Sequence, residues 1–371
     1  MSYLDKLLAG RPVTWKPLGE VAERMKGTRI TAEEMSTLNK PDGPVKIFGG
    51  GKTVAYVDYG DIPVKDIHHS PSVIVKSRGN IDFDFCDQPF SHKGEFWSYC
   101  SPSTDLNIKF VYYYLKSKVF YFRHKGGEMQ MPQIGSSATD LFPIPIPPRD
   151  VQEEIVRVLD RFTELEAELE AELEARQKQY AYYRDLLLTF PDDAVTYLPL
   201  GDVVDIRRGK RVVRKDLAEE GSYAVFQNSL TPLGYFDKWN VPKDSCFVVA
   251  AGAAGEIGYS RENFWAADDI YYFESSGNLI DRYLYHFLLS SKHMITSKVR
   301  KASIPRLSRI ALERLPIPIP PLEEQERIVG ILDRFETLAH SITEGLPRDL
   351  ELRRMQYSYY RDLLLTFTPQ D

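Results

Sequence analysis

The sequence predicts an α/β architecture: two globes of mixed α+β structure separated by two long antiparallel helices, arranged as an internal repeat with pseudo-two-fold symmetry. Three observations carry the prediction. FPIPIPPRDVQEEIVRVLDRFTELEAELEAELEARQKQYAYYRDLLLTF at 142–190 returns as LPIPIPPLEEQERIVGILDRFETLAHSITEGLPRDLELRRMQYSYYRDLLLTF at 315–367. The stretches between these copies repeat too. Each copy is also a helical pattern too long to bury its apolar stripe alone, and pairing the two related rods antiparallel solves that for both.

Taken in order, residues 1–10 come first. SYLDKLLAG at 2–10 resembles the rod end YYRDLLLTF at 182–190, so a short helix completing the repeat is expected there. The first globe spans 11–148. PLGEVAERMKGTR at 17–29 aligns with PLGDVVDIRRGKR at 199–211, matching Gly19 to Gly201 and Gly27 to Gly209. Ser72 to Lys76 and Phe96 to Tyr99 read as strands, and 105–122 as one aromatic-rich amphipathic helix. FVYYYLKSK at 110–118 answers YLYHFLLSSK at 283–292, and Phe96-Trp97 answers Phe264-Trp265.

The first rod, 149–190, follows alternating prolines that hold the backbone extended and suit neither ladder nor helix. Ile155, Val158, Leu159, Phe162, Leu165 and Leu169 recur three and four apart, the spacing of one helix face. Asp150 three residues before Glu153 resembles a capping box. A finer repeat, LEAE-LEAE-LEAR, places Leu165, Leu169 and Leu173 four apart, so the rod reads as a spacer as well as a solvated helix. One tetrad corresponds to about 6 Å of rise and about 40° of drift. The second globe, 191–321, repeats the plan with different loops. The second rod, 322–371, should break or kink at Gly345 and Pro347.

Composition agrees with a folded chain. The 371 residues are 43% hydrophobic and 12% aromatic, with no long apolar run and no signal peptide, so a soluble cytoplasmic protein is expected. Three scattered cysteines suggest reduced thiols. The net charge of −6 hides an asymmetry: residues 151–190 hold five Lys+Arg against ten Asp+Glu, whereas the globes are slightly positive. Positive globes suit phosphate, and acidic rods suit protein or solvent.

Candidate contacts to DNA lie in polar turns. In the first globe they are Lys26, Arg29, Lys52, Lys76, Arg78, Lys93, Gln130 and Gln133. In the second they are Arg208, Lys210, Arg211, Gln227, Asn228, Lys298, Arg300, Lys301 and Arg306. Lys and Arg neutralise phosphate, and Gln, Asn and Arg match base edges with paired hydrogen bonds. GGGKT at 49–53 lacks the first glycine of a phosphate loop, since Lys46 stands there. His68 and His69 lack a third ligand at metal-like spacing, so no metal site is expected. No N/D-P-P-Y/F loop, intact phosphate loop or nuclease carboxylate cluster stands out, and no catalytic residue is assigned.

The LPIPIPPLEEQERI opening, the tetrad helix, the RQKQYAYYRDLLLTF ending and the paired PLGEV…GTR and PLGDV…GKR starts together resemble the specificity (S) subunit of type I restriction-modification enzymes, especially members with four-residue repeats in the central helix. The resemblance covers essentially the whole chain. It implies two target recognition domains, each reading one half of a split double-stranded DNA site, and two helices that set the spacing. It also implies a non-catalytic subunit that holds two modification subunits and the restriction subunits. S-adenosylmethionine, ATP and Mg are expected on those partners and no cofactor on this chain. The alternative is an interaction or decoy protein of the same fold that does not read DNA.

Overall fold

The computed structural model describes residues 3–127, 130–191, 194–275, 277–341 and 344–368. The chain divides into two units, Met1–Glu168 with Glu351–Asp371, and Leu169–Leu350.

In the first unit a four-stranded antiparallel sheet runs in the order Glu23–Lys26, Trp97–Cys100, Ser72–Lys76, Asp82–Cys86. A three-stranded sheet has the order Val54–Val57, Val45–Phe48, Phe90–His92, the last pair being parallel. The second unit repeats both. Its sheets are Val204–Arg208, Ile270–Ser275, Ser245–Val249, Ile257–Ser260, and Gly234–Phe236, Tyr223–Phe226, Trp265–Ala266, again with one parallel pair. This topology corrects one alignment. Trp97 lies in a four-stranded sheet and Trp265 in a three-stranded one, so the two Phe-Trp dipeptides are not equivalent. An offset of 173 relates most of the frame, and it places Trp97 opposite Ile270.

The prolines behave differently from expectation. Pro143–Ile146 pairs antiparallel with Thr14–Pro17, and Pro316–Ile319 with Thr196–Pro199. Because proline occupies only every second position of each two-stranded ladder, the isoleucines between can supply the donors. Residues 105–122 are also not one helix. Asn107 caps Ile108–Ser117 by accepting from the Lys109 N–H at 3.0 Å, and a non-helical Lys118 (φ −102, ψ 13) separates it from Val119–Lys125.

The first rod is a single helix, Arg149–Leu187, about 58 Å long. It starts two residues too early for Asp150 to cap it. Asp150 instead accepts from Arg11 at 2.9 Å, and Glu153 pairs with Arg149 at 2.8 Å. Leu165, Leu169 and Leu173 are all half-buried, on one face. The second rod is two helices, Leu322–His340 and Leu346–Leu365. The break falls at Gly345, whose φ of 78° and contact with the Thr337 and Leu338 carbonyls admit no side chain.

In the first unit Phe162 packs on Tyr357 and Tyr360, while Arg354 donates to Glu166 at 2.6 Å; the reversed order shows antiparallel helices. The core of this unit joins Val73, Phe83, Tyr99 and Phe110 of the globe to Ile155 and Leu159 of the rod, Leu364 of the last helix and Phe367 just beyond it. The core of the second unit joins Val248, Phe273 and Tyr283 to Tyr180, Leu188, Ile328 and Leu332.

Each globe is fastened to its rod at two points. Gln152, fully buried, donates through Nε2 to the Asp105 and Pro147 carbonyls and accepts from the Asn107 N–H. Gln325 makes the same bonds to Asn278, Pro320 and Ile280. One turn or two further along, Asp160 accepts from Lys109 and Tyr113. Asp333 accepts from the equivalent Arg282 and His286. Burial alone would raise the Asp333 carboxyl, but His286 and Arg282 outweigh it and hold it below its ordinary value. Among the described residues no helix is long and apolar enough to cross a membrane.

Candidate nucleic-acid interface

The repeated glycines build the frame of the candidate surface. A Cβ on Gly27 would overlap the His92 carbonyl, and one on Gly209 the Ala266 and Ala267 carbonyls. These close approaches draw the basic segment after each glycine against the turn that precedes the last strand of its four-stranded sheet. Thr28 donates to the His92 carbonyl at 2.8 Å and Lys210 to the Ala266 carbonyl at 2.9 Å.

From there a chain of contacts runs along one edge of each globe. In the second globe the Ala267 N–H reaches the Phe226 carbonyl, beside Gln227 and Asn228, and the Ala253 N–H reaches the Asn228 carbonyl. Ala251 bridges to Arg306, which bridges to Arg300. In the first globe Thr28 bridges to Lys93, Ser77 donates to the Glu95 carbonyl, and Arg78 bridges to Gln133. The frames coincide: Arg78 with Ala251 and Gln133 with Arg306 lie at the offset of 173, and Gly79 and Gly252 both have positive φ.

The candidates sort by what already holds them. Lys26, Arg29, Arg78, Lys210, Arg211, Arg300, Lys301 and Arg306 are exposed and make no ion pair among the described residues. Asn228, Gln130 and Gln133 are exposed and Gln227 is half-buried. Lys76 is a correction. It is buried, donates to the Gly51 carbonyl at 2.6 Å and pairs with Asp84 at 2.5 Å, so its charge is neutralised inside the globe. Lys93 is half-buried and pairs with Glu95 at 2.8 Å. Arg208 donates to the Asp268 carbonyl at 2.6 Å and lies 3.7 Å from Asp269. Lys52 lies apart, in a cleft of about 640 Å³ with Lys46, Lys109, Asp160 and Tyr357. Lys298 also lies apart, in a cleft beside Pro316.

GGGKT is the turn of a β-hairpin: Gly49 and Thr53 close it, and Gly51 has positive φ. His68 donates through Nε2 to the Lys26 carbonyl, 2.8 Å away, and His69 stacks on Tyr59. Among the described residues one group, His286 with Asp333 and Glu336, has the spacing for a cation. Arg282 already occupies it, bonded to both carboxylates. The sequence reading missed Gln152 and Gln325, although identical glutamines at the offset of 173 were there to be seen.

The profile of the family described as type I restriction modification DNA specificity domain matches this chain twice, over residues 12–175 and 193–352. The chain belongs to that family. A putative type I restriction enzyme specificity subunit of Haemophilus influenzae is 34% identical, with 99% of both chains covered. The Escherichia coli EcoR124I/EcoR124II specificity subunit is 30% identical, covering 99% of this chain and 97% of that one. The fold matches the crystal structure of the S subunit from M. genitalium with a TM-score of 0.70 at 18% identity, covering 96% of this chain and 97% of that one. A structure from work on complex assembly of a type I restriction-modification system matches with a TM-score of 0.59 at 14% identity, covering 96% and 98%. Each family match thus takes in one globe and most of the rod that follows it.

Proposed function

We propose that this chain is the sequence-reading subunit of a type I restriction-modification complex, each globe reading one half of a bipartite DNA site. The observation that carries the reading is the duplicated edge surface: one backbone frame, with two different sets of exposed amides and of exposed cations that make no ion pair among the described residues. Phosphate contacts from Lys and Arg would set register, and amide and guanidinium groups would read base edges. The Leu165–Leu173 helix would set the gap between half-sites. The chain would perform no catalysis. It would hold two modification subunits, which methylate adenine with S-adenosylmethionine, and restriction subunits that use ATP and Mg. The complex would work on DNA in the cytoplasm.

The test is single-molecule mapping of methylated adenine in a host carrying this gene and its modification subunit, against a host lacking only this gene. A split motif with a fixed gap, present only with the gene, is the expected result. Identical maps despite a demonstrated complex would favour the interaction or decoy reading.

A further inference from the structure

One cleft in the first unit lies outside the edge surface. It holds about 640 Å³ between the hairpin of Val45–Phe48 and Val54–Val57 and the rod, and its two walls differ in chemistry. Lys46, Lys52, Lys76 and Lys109 line it from the globe, and Asp160, Thr163, Glu164 and Glu166 from the rod. Two of the lysines are matched: Lys76 pairs with Asp84 at 2.5 Å and Lys109 with Asp160 at 2.8 Å. Two of the rod carboxylates are matched as well, Glu164 by Arg161 at 3.4 Å and Glu166 by Arg354 at 2.6 Å. Lys46 and Lys52 make no ion pair among the described residues. Lys46 instead holds its ammonium 4.9 Å over the Phe48 ring, which Lys76 also faces at 5.8 Å. Lys52 is the lysine of GGGKT, presented by a hairpin turn and not by a helix N-terminus, so it can reach an anion only through its side chain. Phe85, Tyr112 and Tyr357 supply further aromatic lining.

The repeated frame does not require this cleft. At the offset of 173, Lys109 matches Arg282, Tyr112 matches Tyr285, Asp160 matches Asp333 and Thr163 matches Glu336. Phe85 corresponds to Tyr259, since each faces the second residue of the equivalent central strand. In the second unit Arg282 fills the place: it is bonded to Asp333 and Glu336, and its guanidinium lies 4.4 Å over Tyr259 and 4.7 Å over Tyr285. In the first unit a shorter side chain meets a single carboxylate, and Thr163 stands where Glu336 completes the closure. Lys46 has no cationic counterpart either. The Phe48 and Phe226 carbonyls accept from Lys93 and Ala267 in the same way, which puts Ala224 at the place of Lys46. The open cleft and its unpaired Lys46 are therefore features of the first globe and not of the shared frame.

We infer that this cleft binds a nucleotide, with its phosphates on Lys46 and Lys52 and the amino group of its base toward Thr163 and Glu164. The cleft has the size of a small-ligand site, about 300–1,000 Å³, and is too small to admit a duplex. Two unpaired ammonium groups on one wall call for a group with more than one negative charge, and a phosphate supplies both the charge and the acceptors. The facing wall is rich in carboxylates, which only accept, so the other end of the ligand must donate. The rings between the walls suit a planar base. Because the walls come from the hairpin and the rod, a bound nucleotide adds a fastening of globe to rod beside those of Gln152 and Asp160.

The experiment is hydrogen exchange of the full chain, read peptide by peptide, with and without ADP. ADP should slow exchange saturably in 46–54, 82–85 and 160–166 and leave 224–236, 255–260 and 333–340 unchanged. Lys46→Gln and Lys52→Gln should each weaken binding about tenfold, the loss of one charge-assisted hydrogen bond. Inosine diphosphate, whose base lacks the amino group, should bind about tenfold more weakly than ADP. Lys109→Arg with Thr163→Glu copies the closure of the second unit onto the equivalent frame and should abolish the effect; exchange in the remaining peptides checks that folding is kept. The absence of saturable protection in those three segments of the unaltered chain overturns the inference, as does equal protection in all the variants. Equal protection by inorganic pyrophosphate overturns the assignment to a nucleotide. Protection of the same segments by a DNA duplex and not by ADP gives the cleft to DNA and overturns the inference as well.

Discussion

Truncating Gln152 to alanine should loosen the first globe from its rod without affecting the second. Its side chain is fully buried and makes three bonds: Nε2 to the Asp105 carbonyl at 3.0 Å and the Pro147 carbonyl at 2.8 Å, and Oε1 from the Asn107 N–H at 2.8 Å. Asn107 is also the cap of Ile108–Ser117, so its amide is fixed and cannot turn to water. Leaving that donor unpaired costs about 1–3 kcal/mol, and each carbonyl forfeits about 0.5–1.5 kcal/mol of net bonding. The sum, about 2–6 kcal/mol, corresponds to about one and a half to four orders of magnitude in the local opening equilibrium. Because two units make a single global unfolding free energy ill-defined, the assay is hydrogen exchange read peptide by peptide. Peptides covering 105–117 and 143–155 should lose protection by that factor, and those covering 278–290 and 316–328 should not. Gln325→Ala should do the reverse. Gln152→Met refills the volume without the hydrogen bonds and should recover no more than about 1 kcal/mol. Protection within tenfold of the unaltered chain, or an equal loss in both globes, would refute the reasoning.

Other perturbations separate the roles assigned above. Arg300→Ala and Arg306→Ala should weaken duplex binding and each lower the slope of log affinity against log salt by about 0.9, the increment for one phosphate no longer neutralised; Lys76→Met should leave the slope unchanged and lower thermal stability, because it strands Asp84. Deleting Leu169–Glu172 shortens the rod helix by about 6 Å; methylation mapping should find both half-sites unchanged and the gap reduced. Burial depresses His92 from its ordinary value to about 4, with the nearby His68 adding to the effect. The unfolded chain therefore binds the proton first as pH falls, so this contribution to stability is intact above about 6.5 and is lost between about 6.5 and 4, up to about 3 kcal/mol. Melting curves across that range should show the loss, and His92→Gln should flatten it.

The rods were legible because helical periodicity is written locally: Ile155, Leu159 and Phe162 mark one face whatever surrounds them. The break at Gly345 was legible for the same reason. Boundaries within the globe were less so. Nothing in 105–122 announces that Lys118 leaves the helix, and the strand formed by Pro143–Ile146 is invisible until Thr14–Pro17 is seen beside it. Of the candidate surface, the basic run after Gly209 and the amides at Gln227 and Asn228 stand out as candidates by residue type alone. Lys76 could not be excluded that way, because the groups that neutralise it come from two other strands' turns and edges.

What the sequence alone determined is the duplication: two globes, two rods and their order, since repeats and helical stripes are properties of neighbouring residues. Tertiary structure decided which side chains are free. Whether a lysine faces solvent or Asp84, whether Trp97 and Trp265 are counterparts, and why Gln152 and Gln325 are the same residue all depend on partners that other segments of the chain supply. Those pairings arise only when the sheets close and buried polar groups must each find a partner, a requirement that no local pattern records.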